Sequence, residues 1–378
     1  MKRAFVGACI GLIACGGPHD EHTVTRATID TLAGGIVQVR NNGPTMWADT
    51  SGWRFALVAE RTFPASGPGA MENPNYPAPL SDGSVVVVNQ KPIYIARFSP
   101  TLEPLGRFGR DVDGPGEFRS PIPIAARDSI FVLDQGRSVI SVFDREGHLG
   151  RETPIRFRPN DVSTVDHDRV ALIGSFGRRE SSVLWWDLGA NRIVDSVVPP
   201  PGPEPIVIKR CRFGLPYQAK EEIAPIAPGR AWWGVSDADR FVLTHDGRDT
   251  VVITSSARPR VPVSDSVLDN TFGEKGFVFK MCGPTPERSQ VPKVKPAWHD
   301  INADDAGNLW VHRSGTPRSS FDVYGTDGRR LGAVPDPFGA KQNWWWHGEQ
   351  VASVEDHDDG SFTLRVYRID RSNPKQAK

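Results

Sequence analysis

The hydrophobic pattern between residues 121 and 150 predicts four short β-strands. An apolar run from Pro121 to Ala125 is separated by a polar turn from a second run, Ile130 to Leu133. After another turn, Val139 to Phe143 alternates in character, and a hairpin sequence leads to a last strand near Leu149. β-Branched and aromatic residues between such turns are typical of strands. A four-stranded antiparallel sheet of this size needs similar neighbours to bury both of its faces.

Similar units recur along the chain. A turn residue directly before a Val-, Ile- or Trp-rich strand occurs at Gly83, Asp128, Asp168, Gly229, Gly307 and Gly348. The spacings are 45, 40, 61, 78 and 41 residues, and a propeller blade takes roughly 40–50 residues. The two long spacings contain irregular, Pro-rich insertions at 199–219 and 257–297. The sequence therefore predicts six blades.

An internal alignment predicts how the ring closes. Residues 66–88 align with residues 113–134 on a shared Gly-Pro-Gly. The strand before the first copy, Trp53 to Thr62, should then be the outer strand of a blade, and the last blade, Glu349 to Ile369, lacks one. We expect an all-β fold, a six-bladed β-propeller closed by an N-terminal strand that completes the last blade and removes the free sheet edge.

The organising blade resembles a known repeat. DSIFVLDQGRSVISVFDREG, residues 128–147, resembles an NHL repeat, and FGRDVDGPGEFRSPIPIA, residues 108–125, is similar to the G-x-G-P-G-E-F-x-x-P connector of bacterial six-bladed propeller lipoproteins. The resemblance extends over roughly Trp53 to Asp370 and is sharp in this blade alone. It implies a six-bladed ring with a binding or scaffolding role. It implies no particular substrate, because propellers host many unrelated activities.

The N-terminus carries a processing signal. Lys2 and Arg3 precede an apolar run that is too short to span a bilayer and that ends Leu-Ile-Ala before Cys15, as in a lipobox. We expect residues 1–14 to be a lipoprotein signal peptide and Cys15 to carry the lipid. Gly16 resembles the residue found after the cysteine in lipoproteins of the outer membrane, so the bacterial envelope is the expected location. An ordinary signal peptide with a chance cysteine is the alternative.

Composition and polarity define the remaining segments. We expect a polar tether over residues 15–52, the propeller over 53–370 and a disordered tail over 371–378. Lys plus Arg and Asp plus Glu both number 45, so no global field favours nucleic acid as a partner. Cys211 and Cys282 remain after processing, one in each insertion, and we expect a disulfide between them. Two buried free thiols are the alternative.

The loops predict a binding face. In an up-and-down blade, the loop between the second and third strands emerges on the same face as the connector to the next blade. In five of the six blades these loops carry cations: Lys91, Arg137, Arg178, Arg179, Arg240, Arg313 and Arg318. Arg178, Arg179 and Arg318 are the candidates for an acidic glycan, phosphate or carboxylate ligand. Structural pairing, such as Arg137 with Asp134, is the alternative.

A second group of candidates borders the predicted channel. Trp346 and His347 enter blade six, and His299 and Asp300 enter blade five. Just before an innermost strand, such residues can form a ligand platform. The alternative is that the aromatic residues fill the spaces between blades.

The sequence gives little support for catalysis or for a cofactor. It lacks the nucleophile-elbow, P-loop, zinc-protease, dinucleotide-binding and C-x-x-C motifs. Calcium is conceivable at the acidic loops 356–360 and 111–114, although both are typical turns. Resemblance to propeller lactonases would imply an ion held by Glu and Asn side chains of the innermost strands. Glu222 and Asp300 could contribute to such a site, but the sequence offers no matching pair of Asn residues.

Together these features predict an envelope lipoprotein that binds an unidentified protein, peptide or glycan on its loop-rich face and has no catalytic activity. A metal-dependent propeller hydrolase or lactonase is the alternative. A scaffold that joins an envelope complex is a third class, which the sequence does not separate from binding.

Overall fold

In the computed structural model, the secondary-structure elements of the described residues are β-strands, apart from one short 3-10 helix. The described residues are 27–47, 52–126, 129–157, 159–164, 169–174, 182–200, 207–208, 211–212, 217–255, 260–266, 269, 291–313, 319–338 and 342–372. Six sheets of at least four strands each form the blades of a propeller. Within the described residues, no helix has the length and apolar character needed to cross a membrane. The predicted six-bladed all-β fold is confirmed.

Blades one to three are antiparallel meanders that run from the innermost strand outwards. Their strands are β4 (Pro74–Pro79), β5 (Val85–Gln90), β6 (Ile93–Phe98) and β7 (Pro104–Phe108); β8 (Pro121–Ala126), β9 (Ser129–Asp134), β10 (Val139–Asp144) and β11 (Leu149–Pro154); and β12 (Asp161–Thr164), β13 (Arg169–Gly174), β14 (Ser182–Asp187) and β15 (Arg192–Val197).

Blades four to six repeat this order. Their strands are β18 (Glu221–Ala227), β19 (Arg230–Val235), β20 (Arg240–His245) and β21 (Arg248–Ser255); β22 (Asp300–Ala303), β23 (Leu309–Arg313), β24 (Ser320–Tyr324) and β25 (Arg330–Pro335); and β26 (Gln342–His347), β27 (Gln350–Asp356), β28 (Phe362–Asp370) and β3 (Arg54–Phe63). A two-stranded hairpin, β16 (Val207–Ile208) with β17 (Cys211–Arg212), lies in the insertion before blade four.

The N-terminal strand closes the ring as predicted. β3 pairs antiparallel with β28 along its whole length, from Phe63 opposite Phe362 to Arg54 opposite Asp370. The first strand of the propeller therefore becomes the outer strand of the last blade. Closure in this way leaves blade six with no missing strand.

Contacts with the blades extend into parts of the expected tether and tail. β1 (Thr28–Thr31) and β2 (Val37–Asn41) flank a short 3-10 helix (Ala33–Gly35), and β2 pairs in parallel with β21, the outer strand of blade four. Val39 is completely buried there, so this alternating segment gains a core contact that a free tether would not have. At the other end, Arg371 pairs with Asp304 and Glu349.

The core consists of layers between neighbouring blades. Among the described residues, six apolar clusters occur, one for each pair of adjacent blades around the ring. In β5, Val85 and Val87 pack towards blade six, whereas Val86 and Val88 pack towards blade two. Because both faces of a blade are covered, the central strands are continuous apolar runs instead of alternating ones.

Candidate functional site

The six innermost strands surround a central channel of about 690 Å³. Residues of β4, β8, β12, β18, β22 and β26 all line it, so every blade contributes to its wall. The innermost strands begin on the face where the connectors arrive, which we call the connector face, and end on the opposite face. Polar residues at the start of each strand therefore gather at the connector-face mouth.

Three carboxyl groups from consecutive blades meet at this mouth. Asp161 is the first residue of β12, Glu222 the second of β18 and Asp300 the first of β22, and all three line the channel. The connectors deliver them to the same height because each one lies at the beginning of its strand. Asp300 was expected from the sequence as a ligand-platform residue and Glu222 as a potential ion ligand, whereas Asp161 was not expected at the site. The signal that would have found Asp161 is its position directly after a connector and directly before an apolar residue.

The environment raises the pKa of two of these carboxyl groups towards neutrality. Burial raises the pKa of Asp300 to about 7, and the charge of Glu222 adds to this rise, whereas Lys220, the backbone amide of Ile301 and His312 oppose it. Burial likewise raises the pKa of Asp161 to about 6, with a further contribution from Glu222. Water reaches Asp161 in the channel, yet the surrounding protein replaces much of the bulk solvent that would stabilise its charge.

A lysine and two histidines accompany the carboxyl groups. Lys220 forms an ion pair with Glu222. Burial of Lys220 disfavours its charged form, but the carboxylates of Glu222 and Asp300 outweigh this effect and raise its pKa. The pKa of His299 is lowered, first by burial and then by the positive charges of His312, Lys220 and Lys295. Lys220 thus pairs with Glu222 and acts on Asp300, and the remaining carboxyl charge of the mouth favours a positively charged group.

An aromatic pair stands beside the carboxyl groups. Trp345 lines the channel. Tyr76 contacts the ring of Trp345 edge to face, with ring centroids 4.8 Å apart. Burial raises the pKa of Tyr76, and so does the charge of Asp161, which places the phenol within electrostatic reach of that carboxylate. A cation near Asp161 would therefore also meet the electron-rich aromatic ring faces.

The four residues of the predicted platform do not form one group. Asp300 and His299 lie at the connector-face mouth, but Trp346 and His347 end β26 and lie towards the opposite face, beside Gly348 and Asp305. The sequence predicts them just before an innermost strand, whereas Trp344 to His347 are part of that strand, and both Trp346 and His347 line the channel. Burial lowers the pKa of His347 to about 4. Trp346 also packs against Trp310, with ring centroids 5.1 Å apart.

The spacing of the carboxyl groups determines whether they can share a metal ion. Among the described residues, which include Asp161, Glu222 and Asp300, no three His, Cys, Asp or Glu side chains lie close enough to share one ion.

The predicted basic rim is only partly described. Arg178, Arg179 and Arg318 lie outside the described residues. Arg313 is buried and pairs with Asp239 and Asp322, so it is not a rim cation. Its partners come from two different blades, which the local sequence did not reveal.

Two other rim arginines have partners within their own blade. Arg137 pairs with Glu152 at 2.9 Å instead of with the carboxylate of Asp134, and Arg240 lies 5.9 Å from the ring centre of Trp233. Lys91 is exposed. The predicted cysteines are also outside what the structure describes: Cys15, Cys282 and the side chain of Cys211.

Comparison with known proteins finds similar solved structures at low sequence identity. No family model and no curated protein matches the chain. It is similar to a member of the DUF4221 family from Bacteroides vulgatus, with 12% identity, a TM-score of 0.48 and coverage of 84% of this chain and 98% of the other. The chain is also similar to a Bacteroides fragilis protein inferred to be exported. The identity is 9% and the TM-score is 0.48, with coverage of 89% of this chain and 99% of the other.

A third similar structure is the calcium-binding protein regucalcin from Agrobacterium tumefaciens. It shares 12% identity with a TM-score of 0.38, over 83% of this chain and 95% of the other. Likeness at these levels carries no information on ligand, activity or location.

Proposed function

We propose that this protein is a lipoprotein of the bacterial envelope whose propeller binds a positively charged group at the connector-face mouth of its channel, without catalysing a reaction. The observation that supports binding is that Asp161, Glu222 and Asp300 line the same channel and that the charge of Glu222 acts on both of the other carboxyl groups. A bound ammonium or guanidinium group would pair with carboxyl groups that otherwise remain partly protonated.

The ligand's cation has two possible sources. It can belong to a small amine or to a lysine or arginine side chain of a peptide or protein partner. In both cases Trp345 and Tyr76 would supply aromatic contacts beside the carboxylates. A partner protein would also cover the surrounding connectors, whereas a small amine would leave them exposed.

Calorimetric titration of the full-length, detergent-solubilised protein with spermidine and with a lysine-containing tripeptide tests this proposal. Binding at pH 6 should release protons from Asp161 and Asp300, so the measured enthalpy should depend on the ionisation enthalpy of the buffer. Asp161→Asn and Asp300→Asn should each weaken binding about tenfold or more, whereas Asp327→Asn, in an exposed turn on the opposite face, should not. Equal affinities in all four proteins would reject the mouth as the binding site.

A metal-dependent hydrolase or lactonase is the alternative function. The carboxyl groups of Glu222 and Asp300 on innermost strands favour it, because the channel mouth is where a propeller can expose such groups to a substrate. Against it, no three His, Cys, Asp or Glu side chains among the described residues lie close enough to share one ion. Elemental analysis of the purified protein, combined with thermal unfolding in calcium and in chelator, separates the two functions. A stoichiometric divalent ion would favour the enzyme.

Two further parts of the proposal concern residues outside the described ones. Cys15 carries the lipid, so Cys15→Ser should move the protein from the membrane fraction to the soluble fraction. Arg178, Arg179 and Arg318 form a basic rim, so replacing all three with alanine should weaken the capture of an anionic glycan or peptide. Unchanged capture would reject the rim as a binding surface.

A further inference from the structure

A second cavity lies at the seam where blade six meets blade one. Its volume is about 670 Å³, and it opens on the connector face between the segment leading into β4, the β5–β6 turn and the β27–β28 turn. We call it the seam pocket. Its lining includes the charged or polar residues Glu72, Asn89, Lys91, Tyr94, Arg107 and Asp356 and the apolar side chain of Met71. It shares none of the carboxyl groups of the channel mouth.

Blade two shows what this part of a blade contains when it is closed. The buried carboxylate of Asp134 accepts hydrogen bonds from the backbone amides of Arg119 at 2.8 Å, Ser120 at 3.0 Å, Gly136 at 2.9 Å and Arg137 at 3.2 Å. These bonds join the incoming connector to the turn between the second and third strands. They hold the two segments together through one charged side chain.

Blade two adds an ion pair to this closure. The guanidinium of Arg137 donates to Glu152 at 2.9 Å, and Glu152 also accepts from Ser141 and from the amide of Gly116. The carboxylate of Glu152 therefore connects the outermost strand to the connector as well. Both oxygens of Asp134 and both oxygens of Glu152 already accept hydrogen bonds from the protein. A ligand would therefore have to displace one of these donors, which is unfavourable.

Blade one has the same backbone register with a different set of side chains. A shift of 45 residues relates Asp134 to Asn89 and Glu152 to Arg107, because Asp134 opposes Val139 as Asn89 opposes Tyr94, and Ser141 opposes Glu152 as Ala96 opposes Arg107. The closing carboxylate is thus replaced by an amide, and the second carboxylate is replaced by a cation.

Each replacement leaves a group available in the pocket. Asn89 is 1% exposed, and its amide nitrogen donates to the carbonyl of Pro92 at 2.7 Å, but its buried Oδ1 accepts no hydrogen bond. The guanidinium of Arg107 lies 5.0 Å from the ring centre of Tyr94. Among the described residues, neither Arg107 nor Lys91 has a carboxylate partner. An unpaired buried acceptor is unfavourable, and a donor on a ligand would satisfy it.

We propose that the seam pocket binds an acidic carbohydrate, a sugar unit that carries a carboxylate. Lys91 and Arg107 pair with the carboxylate, and Asn89 Oδ1 accepts a hydrogen bond from a ring hydroxyl. Burial raises the pKa of Asp356, and this carboxyl group at the rim takes a second hydroxyl. Met71 and the ring of Tyr94 provide the apolar surface for the carbon face of the sugar.

Titration of the full-length, detergent-solubilised protein with trigalacturonate tests the assignment, with maltotriose as the uncharged sugar and citrate as the anion without a sugar ring. We expect binding of trigalacturonate that is at least tenfold tighter than binding of either comparison ligand. Arg107→Glu installs the residue type that blade two carries and should weaken binding at least tenfold. Lys91→Ala should weaken it severalfold.

Matched controls separate this site from other effects. Arg329→Glu makes the same charge change in an exposed turn on the opposite face and should leave the affinity unchanged. Asp300→Asn, in the channel mouth, should also leave it unchanged. If Arg107→Glu does not fold, Arg107→Gln retains the polar stem and should still lose about tenfold. Equal binding of citrate, absence of trigalacturonate binding, or loss through Asp300→Asn or Arg329→Glu would overturn the proposal.

Discussion

Phe63 stacks on Phe362, with ring centroids 4.9 Å apart and ring planes 14° from parallel. The two residues oppose each other in the pairing of β3 with β28, although they lie near the beginning and the end of the propeller sequence. Phe63 also contacts Phe98 of blade one at 5.0 Å. One aromatic side chain therefore joins the closing strand, the last blade and the first blade.

Removing this contact should weaken the whole ring. Phe63 is 1% exposed, and truncation of a buried phenylalanine to alanine costs about 3–5 kcal/mol. We expect Phe63→Ala to lower the free energy of unfolding by about this amount in urea titration. Val58→Ala changes the same strand at a side chain that is 52% exposed, so its effect should stay below about 0.5 kcal/mol. Similar losses in both variants would contradict the role of Phe63 in closure.

The closure was predictable because a missing strand is visible in the sequence. Six repeats supply five complete sheets and one sheet that lacks its edge, and a single spare strand fits that edge. The pairing of β2 with β21 was not predictable, because blade four is already complete and nothing in its sequence requires a fifth strand. In the folded chain, the complete burial of Val39 stabilises the pairing of β2 with β21.

The channel mouth was predictable in part for a similar reason. Asp300 follows a recognisable connector, so its height in the channel could be inferred, whereas Trp346 and His347 were misplaced because the connector before blade six has no clear end in the sequence. Arg313 was placed on the rim because its loop is polar. Its partner Asp239 belongs to another blade, and contacts between blades leave no local pattern.

Arg313 should prove more important for stability than an exposed arginine. It is 3% exposed and shares hydrogen bonds with Asp239, Asp322, Tyr324 and the carbonyl of Ala297. Replacing it with methionine would leave two buried carboxylates without this partner, which costs about 3–5 kcal/mol. Chemical unfolding of Arg313→Met and of Arg329→Met measures the difference. A change below about 1 kcal/mol at Arg313 would show that water or rearrangement satisfies the carboxylates.

The comparison between blades predicts a difference between Asp134 and Asn89. Asp134→Ala removes the charged acceptor of hydrogen bonds that four backbone amides donate, and each such bond contributes about 1.5–3 kcal/mol. We expect a loss of about 3 kcal/mol or more in the free energy of unfolding. Asn89→Ala removes one hydrogen bond, to the carbonyl of Pro92, and should cost about 1 kcal/mol. Equal losses would remove the physical basis for an open pocket in blade one.

The proposed envelope location is oxidising, so Cys211 and Cys282 should form a disulfide there. Alkylation of the purified protein followed by mass spectrometry should find both residues blocked before reduction and modified after it. A native disulfide typically contributes about 2–4 kcal/mol, so reductant should lower the unfolding midpoint. Alkylation of both residues without reductant would reject the bond, and Cys211→Ser with Cys282→Ser would then be neutral for stability.

Stability should fall as the pH rises through neutrality, because the folded protein holds a proton on Asp300 that the unfolded chain releases. An unfolded aspartate has a pKa of about 3.9, whereas burial and the charge of Glu222 raise that of folded Asp300 to about 7. The stabilising contribution is complete below pH 4 and is lost as the pH rises through 7. Asp161, with a pKa of about 6, acts in the same direction.

His347 acts in the opposite direction, so the comparison must be made between variants. Because the pKa of His347 is about 4 in the folded state, its contribution to the free energy of unfolding is lost as the pH falls from about 6.5 to 4. Asp300→Asn leaves this contribution in place and removes only that of Asp300. Urea unfolding between pH 4 and pH 8 should therefore show that Asp300→Asn gains stability relative to the parent protein as the pH rises, while Asp327→Asn shows no such trend. A constant difference across this range would mean that Asp300 is ionised throughout, and that the channel mouth carries its full negative charge before any ligand arrives.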